Sequence, residues 1–371
     1  MASITGPANG LAPPSPGAGV GDSIPAAAIS APLASAVAAF LARHRAYDIL
    51  PVSAKVVLLD ARLPLKKALA ALLLNHLTAA PLWHSDARAV SGLLTVRDLV
   101  RLVAYYADDT DDADEYEASR RPPSELDRHQ ALVDEVEALS VDALRALSGA
   151  DPMALVSLRL HPLRSLREAV AVMYRFRLHH VPLVDTDPAS GQDAVVGVLT
   201  GGKVLKFLAC NCPVTRSLTI SIRDAGIGML APAHPVVAVS PHSLAVDAVR
   251  LLAQHNISAL PVIDDAGRLL DVFTETDVMY IVRDFPATSL LAPVHAALTI
   301  ARPADAVEPI HTCTADDTIA SLFAAIQRAP RVTRFVVVDS LASSVVVGMV
   351  SLGDLLGLVA GGDGDDLMPA N

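Results

Sequence analysis

The sequence predicts an α/β fold built from four copies of one unit. Three observations lead to this prediction. Amphipathic helical segments alternate with short apolar strands, an order typical of α/β units. The order helix, strand, turn, strand, helix occurs four times, which indicates an internal repeat. Hydrophobic residues make up 52% of the 371 residues and charged residues 19%, so the units have enough apolar surface to be buried against one another.

The first copy shows every element of the unit. An amphipathic helix is predicted at 65–73, followed by short apolar strands at 79–83 and 90–94. The second strand ends in a Thr-x-x-Asp step, Thr95 to Asp98, which opens the next helix. Such a step is usually only a helix start, because the hydroxyl caps the first turn.

The later copies repeat this step after an apolar strand, which favours a ligand-binding role over capping alone. The helix openings carry Lys203 in the second copy, Asp277 in the third and Asp354 in the fourth. A lysine cannot accept hydrogen bonds from a sugar, so we expect the second slot to be empty.

Composition sets the boundaries of the units. The first residues are rich in Ala, Pro, Gly and Ser and are expected to be disordered, and an acidic run with a helical stretch interrupts the repeats. We predict a disordered segment at 1–31, repeats at 33–108, 151–212, 218–285 and 291–360, an acidic and helical insertion at 109–150, and a flexible tail at 361–371.

Charge and motif content exclude several classes of protein. The net charge of −11 and the lack of a Lys/Arg-rich run argue against a nucleic-acid partner. The sequence has neither a signal peptide nor an apolar run long enough to span a bilayer. Three cysteines form no disulfide framework or zinc pattern, and the histidines form no metal-ligand pattern. No catalytic motif is found, so we predict a protein that is not an enzyme and holds no metal or cofactor.

Longer strings resemble one family. Residues 47–55, 79–83, 205–208 and 334–339 are similar to gamma subunits of AMP-activated protein kinase, and the repeat itself resembles the cystathionine-β-synthase (CBS) repeat. His161-Pro162, Asn211-Cys212 and a helix at 132–147 are closer to the fungal form, the gamma subunit of the sucrose-non-fermenting kinase. The resemblance implies four CBS repeats that form two Bateman modules in a pseudo-symmetric disc.

The resemblance also implies partners and ligands. A catalytic alpha Ser/Thr kinase subunit and a beta scaffold subunit would complete a heterotrimer, and AMP, ADP or ATP would be bound for energy sensing and glucose derepression. We expect it in the cytoplasm and nucleus. Residues 56–59 would lie near the strand that pairs with the beta subunit, although an ordinary internal strand explains this apolar run equally well.

A nucleotide site needs an apolar pocket for the base, hydrogen-bond acceptors for the ribose hydroxyls, and cations for the phosphate. The acceptors for ribose would be Asp98, Asp277 and Asp354. Each would act with the capping residue that precedes it, which is Thr95, Thr274 or Ser351. Matching the family's binding residues adds Ser258, His179, His180, Arg302 and Arg334, with Arg334 the best phosphate ligand. An inserted residue leaves the alignment of Arg302 uncertain. We rank the fourth site first, the third second and the first last.

Two alternatives remain open. Thr78, Gly202 and Met229 replace polar or cationic residues of animal relatives, so the chain could be a nucleotide-insensitive scaffold that relieves kinase autoinhibition by docking. A CBS module of another protein, such as a channel or a nucleotide-synthesis enzyme, is disfavoured because almost no sequence remains for a host domain.

Overall fold

The computed structural model describes residues 30–51, 55–109, 139–147, 159–231, 235–283, 290–303, 309–329 and 331–361. The predicted disordered start, most of the insertion and nearly all of the tail lie outside the described residues. None of the described helices is long and apolar enough to cross a bilayer.

The first half of the chain contains two units. The first comprises helix α1 (Ala31–Arg43), strand β1 (Leu59–Asp60), helix α2 (Leu65–Leu74), strands β2 (Ala79–His84) and β3 (Ala89–Thr95), and helices α3 (Val96–Asp109) and α4 (Val141–Leu147). The second comprises helix α5 (Leu166–Arg175), strands β4 (His180–Thr186) and β5 (Asp193–Thr200), helices α6 (Gly201–Asn211) and α7 (Ile222–Ala225), and strand β6 (Met229–Leu230). Short 3-10 helices lie at Ala46–Ile49 and Pro213–Ser217.

The second half repeats the pattern. The third unit comprises helix α8 (Ala245–Gln254), strands β7 (Ala259–Ile263) and β8 (Leu269–Thr274), and helices α9 (Glu275–Arg283) and α10 (Val294–Ala301). The fourth comprises strand β9 (Thr312–Thr314), helix α11 (Ile319–Arg328), strands β10 (Arg334–Val338) and β11 (Val346–Ser351), and helix α12 (Leu352–Ala360).

The four antiparallel hairpins share one register. The first residue of the first strand pairs with the last residue of the second: Ala79 with Thr95, His180 with Thr200, Ala259 with Thr274, and Arg334 with Ser351. In each hairpin the register shifts after the fourth residue of the first strand, namely Leu82, Leu183, Val262 and Val337. A shared bulge at one position is a strong sign of a common unit, and the prediction of four α/β repeats is confirmed.

Each hairpin also receives a parallel partner from the segment that precedes the helix before it. The pairs are Leu59 with Leu82, Leu160 with Leu183, Val239 with Val262, and Cys313 with Val337. Of the predicted apolar run 56–59, only Leu59 forms β structure, and it pairs, together with Asp60, inside the protein with Leu82 and Trp83.

The units are joined by two kinds of contact. Helix α3 of the first unit packs on α8 and α9 of the third, and α11 and α12 of the fourth pack on α6 and α5 of the second. Two large hydrophobic cores correspond to these two pairs of units. The core shared by the first and third units contains the fully buried Leu99 and Phe273, and the core shared by the second and fourth contains Leu166 and Phe335. Each fully buried large side chain stabilises the fold by roughly 1.5–3 kcal/mol.

The strands make the second kind of contact. The backbone N–H of Val90 in the first unit donates to the buried carboxylate of Asp193 in the second, over 3.0 Å. In the other half, Arg268 and Val345 form an isolated antiparallel bridge between the third and fourth units. Each unit therefore touches two others, and the helix openings of all four are held in fixed relation.

Candidate ligand-binding site

The hairpin register fixes where the predicted carboxylates lie. Since the capping residue ends the second strand, the residue three positions later lies in the first turn of the following helix. Asp98, Asp277 and Asp354 each use Oδ2 to accept hydrogen bonds from the backbone N–H and the hydroxyl of the capping residue, over 2.7–2.8 Å. A carboxylate at this position is favoured by the helix dipole.

A cavity of about 450 Å³ opens beside the third carboxylate. This volume falls in the range of small-molecule sites. Four predicted site residues line it: Thr274, Asp277, Arg302 and Arg334. Its wall also includes the apolar Leu77, Val272, Ile310 and Val336 and the polar Thr78, His311, Arg331 and Thr333. The cavity thus combines an apolar surface with two carboxylates, Asp271 and Asp277, and three arginines.

Arg302 is bound to the carboxylate that sequence analysis assigned to ribose. Its Nε donates to Asp277 Oδ1 at 2.8 Å and its Nη2 to Asp277 Oδ2 at 2.9 Å, and Nη1 reaches Asp271. Desolvation of the guanidinium opposes its charge, but the bonds and charges of the two aspartates raise the pKa of Arg302 above its usual value. Arg302 thus lies at the third site, where it neutralises Asp277.

Among the described residues, no such cation pairs with the first or the fourth carboxylate. Within the described part of the chain, nothing is hydrogen-bonded to Oδ1 of Asp98 or of Asp354. Burial raises the pKa of Asp354, against the lowering effect of the bonds from Ser351. An ionised carboxylate in a desolvated place with an open acceptor is suited to bind sugar hydroxyls.

The two predicted histidines lie at the start of the second hairpin. Desolvation lowers the pKa of His180 to about 3, and the charges of His179 and Lys203 add to this effect. His180 Nε2 shares a hydrogen bond of 3.0 Å with the Thr78 hydroxyl. The surrounding protein, together with Arg97 and Arg334, lowers the pKa of His179 to about 4, although part of its side chain is exposed.

These shifts determine the charge of the histidine pair. At neutral pH both imidazoles are neutral, because burial and neighbouring cations disfavour the proton. They can contact phosphate only as neutral donors. The positive charge near them comes from Arg97, Arg331, Arg334 and Lys203.

Sequence reasoning missed Arg97 and Arg331. Arg97 lies inside the Thr-x-x-Asp step of the first unit, and its Nε donates to Glu275 of the third unit at 2.7 Å. Arg331 lies three residues before Arg334 and lines the same cavity. Arg97 could have been found from the sequence, because it immediately precedes Asp98, a predicted ribose ligand.

The second unit departs from the others as expected. Lys203 takes the position of the aspartates, and its Nζ donates to the Val198 carbonyl at 3.0 Å. The equivalent residue of the third unit is Val272, because Val198 and Val272 each lie two residues before the capping threonine. The Val272 carbonyl accepts a hydrogen bond from Arg302 Nη2 at 3.0 Å. In both units this carbonyl is therefore hydrogen-bonded to a cationic side chain. That the second slot holds no nucleotide stays a prediction.

The remaining predicted residues lie apart from the cavity. The predicted residues that do not line it are Thr95, Asp98, Ser258, His179, His180, Ser351 and Asp354. The hairpin register makes Ser258 and His179 equivalent, since each immediately precedes the first strand of its unit. The cavity thus lies at the third site, which sequence analysis ranked second, and the ranking of the sites stays a prediction.

Comparison with known proteins agrees with this architecture. The CBS domain model matches residues 227–284 and 304–361, the third and fourth units. The chain is similar to the "5'-AMP-activated protein kinase subunit gamma" of Saccharomyces cerevisiae, with 32% identity covering 85% of this chain and 90% of the relative. The subunit of the same name from Kluyveromyces lactis is 30% identical over 85% of this chain and 89% of its own length.

A solved structure supports the fold. The crystal structure of a Methanocaldococcus jannaschii protein matches with a TM-score of 0.60 over 85% of this chain and 99% of that chain, at 15% identity. The sequence relatives decide the family. The chain belongs to the gamma subunits of 5'-AMP-activated protein kinase.

Proposed function

We propose that this chain is the adenine-nucleotide-binding regulatory subunit of a heterotrimeric Ser/Thr protein kinase. A catalytic alpha subunit and a scaffolding beta subunit complete the complex, and the chain itself performs no catalysis. AMP, ADP and ATP compete for its clefts in the cytoplasm and nucleus. The observation that carries the proposal is the recurrence of a capped aspartate at equivalent helix openings in three of the four units, the third of them beside a cavity lined by three arginines.

The chemistry of the clefts fits the parts of a nucleotide. The open Oδ1 atoms of Asp98 and Asp354 can accept from ribose hydroxyls. Arg334 and Arg331 supply fixed positive charge for phosphate, and Arg can grip phosphate with two parallel bonds. AMP, ADP and ATP differ in phosphate charge, and the kinase equilibrium shifts only by the difference in their affinities for its two states.

A tagged chain purified from its native cells tests the proposal. We expect a kinase and a scaffold to co-purify, and we expect AMP to change the kinase activity of the complex at fixed ATP. The Asp354→Ala/Arg334→Ala variant should lose that response. Asp316→Ala is the matched control, because Asp316 belongs to the same unit but its side chain is 81% exposed. Absence of an associated kinase, or of AMP binding at millimolar concentration, would refute the proposal.

A scaffold without nucleotide sensing is the second candidate. Two observations favour it. Thr78 lines the cavity at a position where animal relatives carry a cation, and Arg302 is hydrogen-bonded to Asp277. In this case the Asp354→Ala/Arg334→Ala complex would retain full activity and an unchanged nucleotide response, while loss of the chain would abolish kinase activity.

A further inference from the structure

We infer that His311 forms a hydrogen bond with the edge of the base of a nucleotide bound in the cavity of the third site. The inference rests on the proposed function, because it assigns a base-reading residue to one of the proposed nucleotide clefts. The residue was not predicted from the sequence, and it is unusual among the four units.

Comparison of the units in register shows why His311 is unusual. Leu59, Leu160, Val239 and Cys313 occupy one position, since each pairs in parallel with the fourth residue of a hairpin. Two residues earlier, the first and third units carry Val57 and Val237, both of which pack against an apolar core. The fourth unit carries His311 at this position. A polar ring therefore replaces an aliphatic side chain at a structurally fixed place.

The backbone of His311 is held by a bond that only the fourth unit can make. The backbone N–H of Val336 donates to the carbonyl of His311 at 2.9 Å. The residue equivalent to Val336, third in the first strand of the hairpin, is Pro81, Pro182 or Pro261 in the other units. Proline has no N–H to donate. The fourth unit thus gains an anchor for the segment that carries His311.

The His311 side chain lines the cavity and contacts the Phe335 ring, with the ring centroids 6.1 Å apart. Its Nε2 is buried, and among the described residues no hydrogen-bond partner reaches it. Buried polar side-chain atoms nearly always have a partner, so an exception calls for an explanation. A ligand that enters the cavity is the explanation that the surroundings support.

Among the polar groups that line the cavity, His311 is the one that we assign to the base. Asp277 and Arg302 are bonded to each other, and Arg331 and Arg334 carry the positive charge that attracts phosphate. His311 is next to Ile310 in sequence and is joined to Val336 by a backbone hydrogen bond, and both of these apolar residues line the cavity with it. A purine offers ring-nitrogen acceptors and, in adenine, an amino donor, and a neutral imidazole nitrogen can serve either one according to its tautomer.

The test uses two probes, AMP and ribose 5-phosphate, which share the sugar and the phosphate but differ in the base. Binding is measured by calorimetry on the 371-residue chain with Asp98→Ala and Asp354→Ala, so that the third cavity is the remaining proposed site. His311→Val introduces the residue found at this position in the first and third units. We expect it to weaken AMP binding about fivefold or more, as the loss of one buried hydrogen bond implies, and to change ribose 5-phosphate binding less than about twofold.

Asp277→Ala in the same background is the comparison, because it should weaken both probes. Equal weakening of both probes by His311→Val, or no weakening of either, would overturn the inference. If the unmodified chain binds AMP but the Asp98→Ala/Asp354→Ala chain does not, the third cavity is not a nucleotide site, and the inference fails while the proposed function stands. If the unmodified chain binds no AMP, both fail.

Discussion

Arg302 holds Asp277 through two parallel hydrogen bonds, Nε to Oδ1 at 2.8 Å and Nη2 to Oδ2 at 2.9 Å. The side chains are 13% and 6% exposed, so the pair is nearly removed from water. Asp354 occupies the same position in the fourth unit, and no cation among the described residues pairs with it. Two equivalent carboxylates therefore differ in charge compensation.

Removing one partner of the Arg302–Asp277 pair should strongly lower the stability of the fold. Arg302→Ala leaves Asp277 and Asp271 without their cation, and we expect the free energy of unfolding to fall by about 3 kcal/mol, as for other broken buried pairs. Asp277→Ala should cost less, because Arg302 keeps Asp271. Urea unfolding of both single variants and the double variant measures the coupling, and a double variant whose loss equals the sum of the singles would show that the pair is not coupled.

Asp354 should behave in the opposite way. Its carboxylate is desolvated and lacks a cation, so Asp354→Asn removes an unfavourable charge along with one capping interaction. We expect the free energy of unfolding to change by less than about 1 kcal/mol. Affinity for AMP should fall at least about tenfold, because a charged acceptor for ribose is lost. Thermal unfolding and calorimetry on the same sample measure both effects, and a large loss of stability with unchanged affinity would contradict this role.

His180 should make the fold sensitive to acid. Its pKa is about 3 in the folded protein and near 6.5 when unfolded. Between these values the unfolded chain binds a proton that the folded protein refuses, so stability falls as pH decreases from about 6.5 toward 3. His180→Gln retains a polar group for Thr78 but does not titrate.

Unfolding free energies at pH 6.5, 5.5 and 4.5 test this sign. The native chain should lose stability relative to His180→Gln by up to about 1.4 kcal/mol per pH unit. Arg62→Gln, an exposed substitution, is the control for sample handling. Parallel pH profiles for the native chain and His180→Gln would show that His180 takes up protons equally in both states.

The pair Arg97–Glu275 should tie the first unit to the third. Both side chains are largely buried, at 20% and 16% exposed, and they lie at the starts of α3 and α9. Arg97→Glu should lower stability by about 1–3 kcal/mol through like-charge contact and desolvation. The exchanged pair Arg97→Glu/Glu275→Arg should recover part of this loss, as read from melting temperatures, and a double variant less stable than Arg97→Glu would refute the contact.

Much of the fold could be predicted because its signals are local. The strands of the first hairpin were placed within one residue of Ala79–His84 and Ala89–Thr95, since apolar runs and the Thr-x-x-Asp step mark them. The helix predicted at 65–73 is observed at Leu65–Leu74. Helix ends depend on capping and fraying, which short sequence patterns specify poorly. In the insertion, the predicted helix is described only at Val141–Leu147.

The site was harder to predict because its decisive contacts join distant parts of the chain. The carboxylates were identified from a short step, but the partner of Asp277 comes from 25 residues later, beyond an uncertain alignment. The neutral state of His180 depends on its burial, which the sequence does not show. His311 was missed because its position has meaning only after the four units are superposed in register; a comparison with Val57 and Val237 would have revealed it.

The number of AMP molecules bound by the purified complex tests the central claim most directly. Native mass spectrometry would compare the unmodified complex with one in which Asp98, Asp277 and Asp354 are all replaced by alanine. The account predicts at least one bound AMP for the former and none for the latter. An unchanged count after removal of all three carboxylates would contradict it.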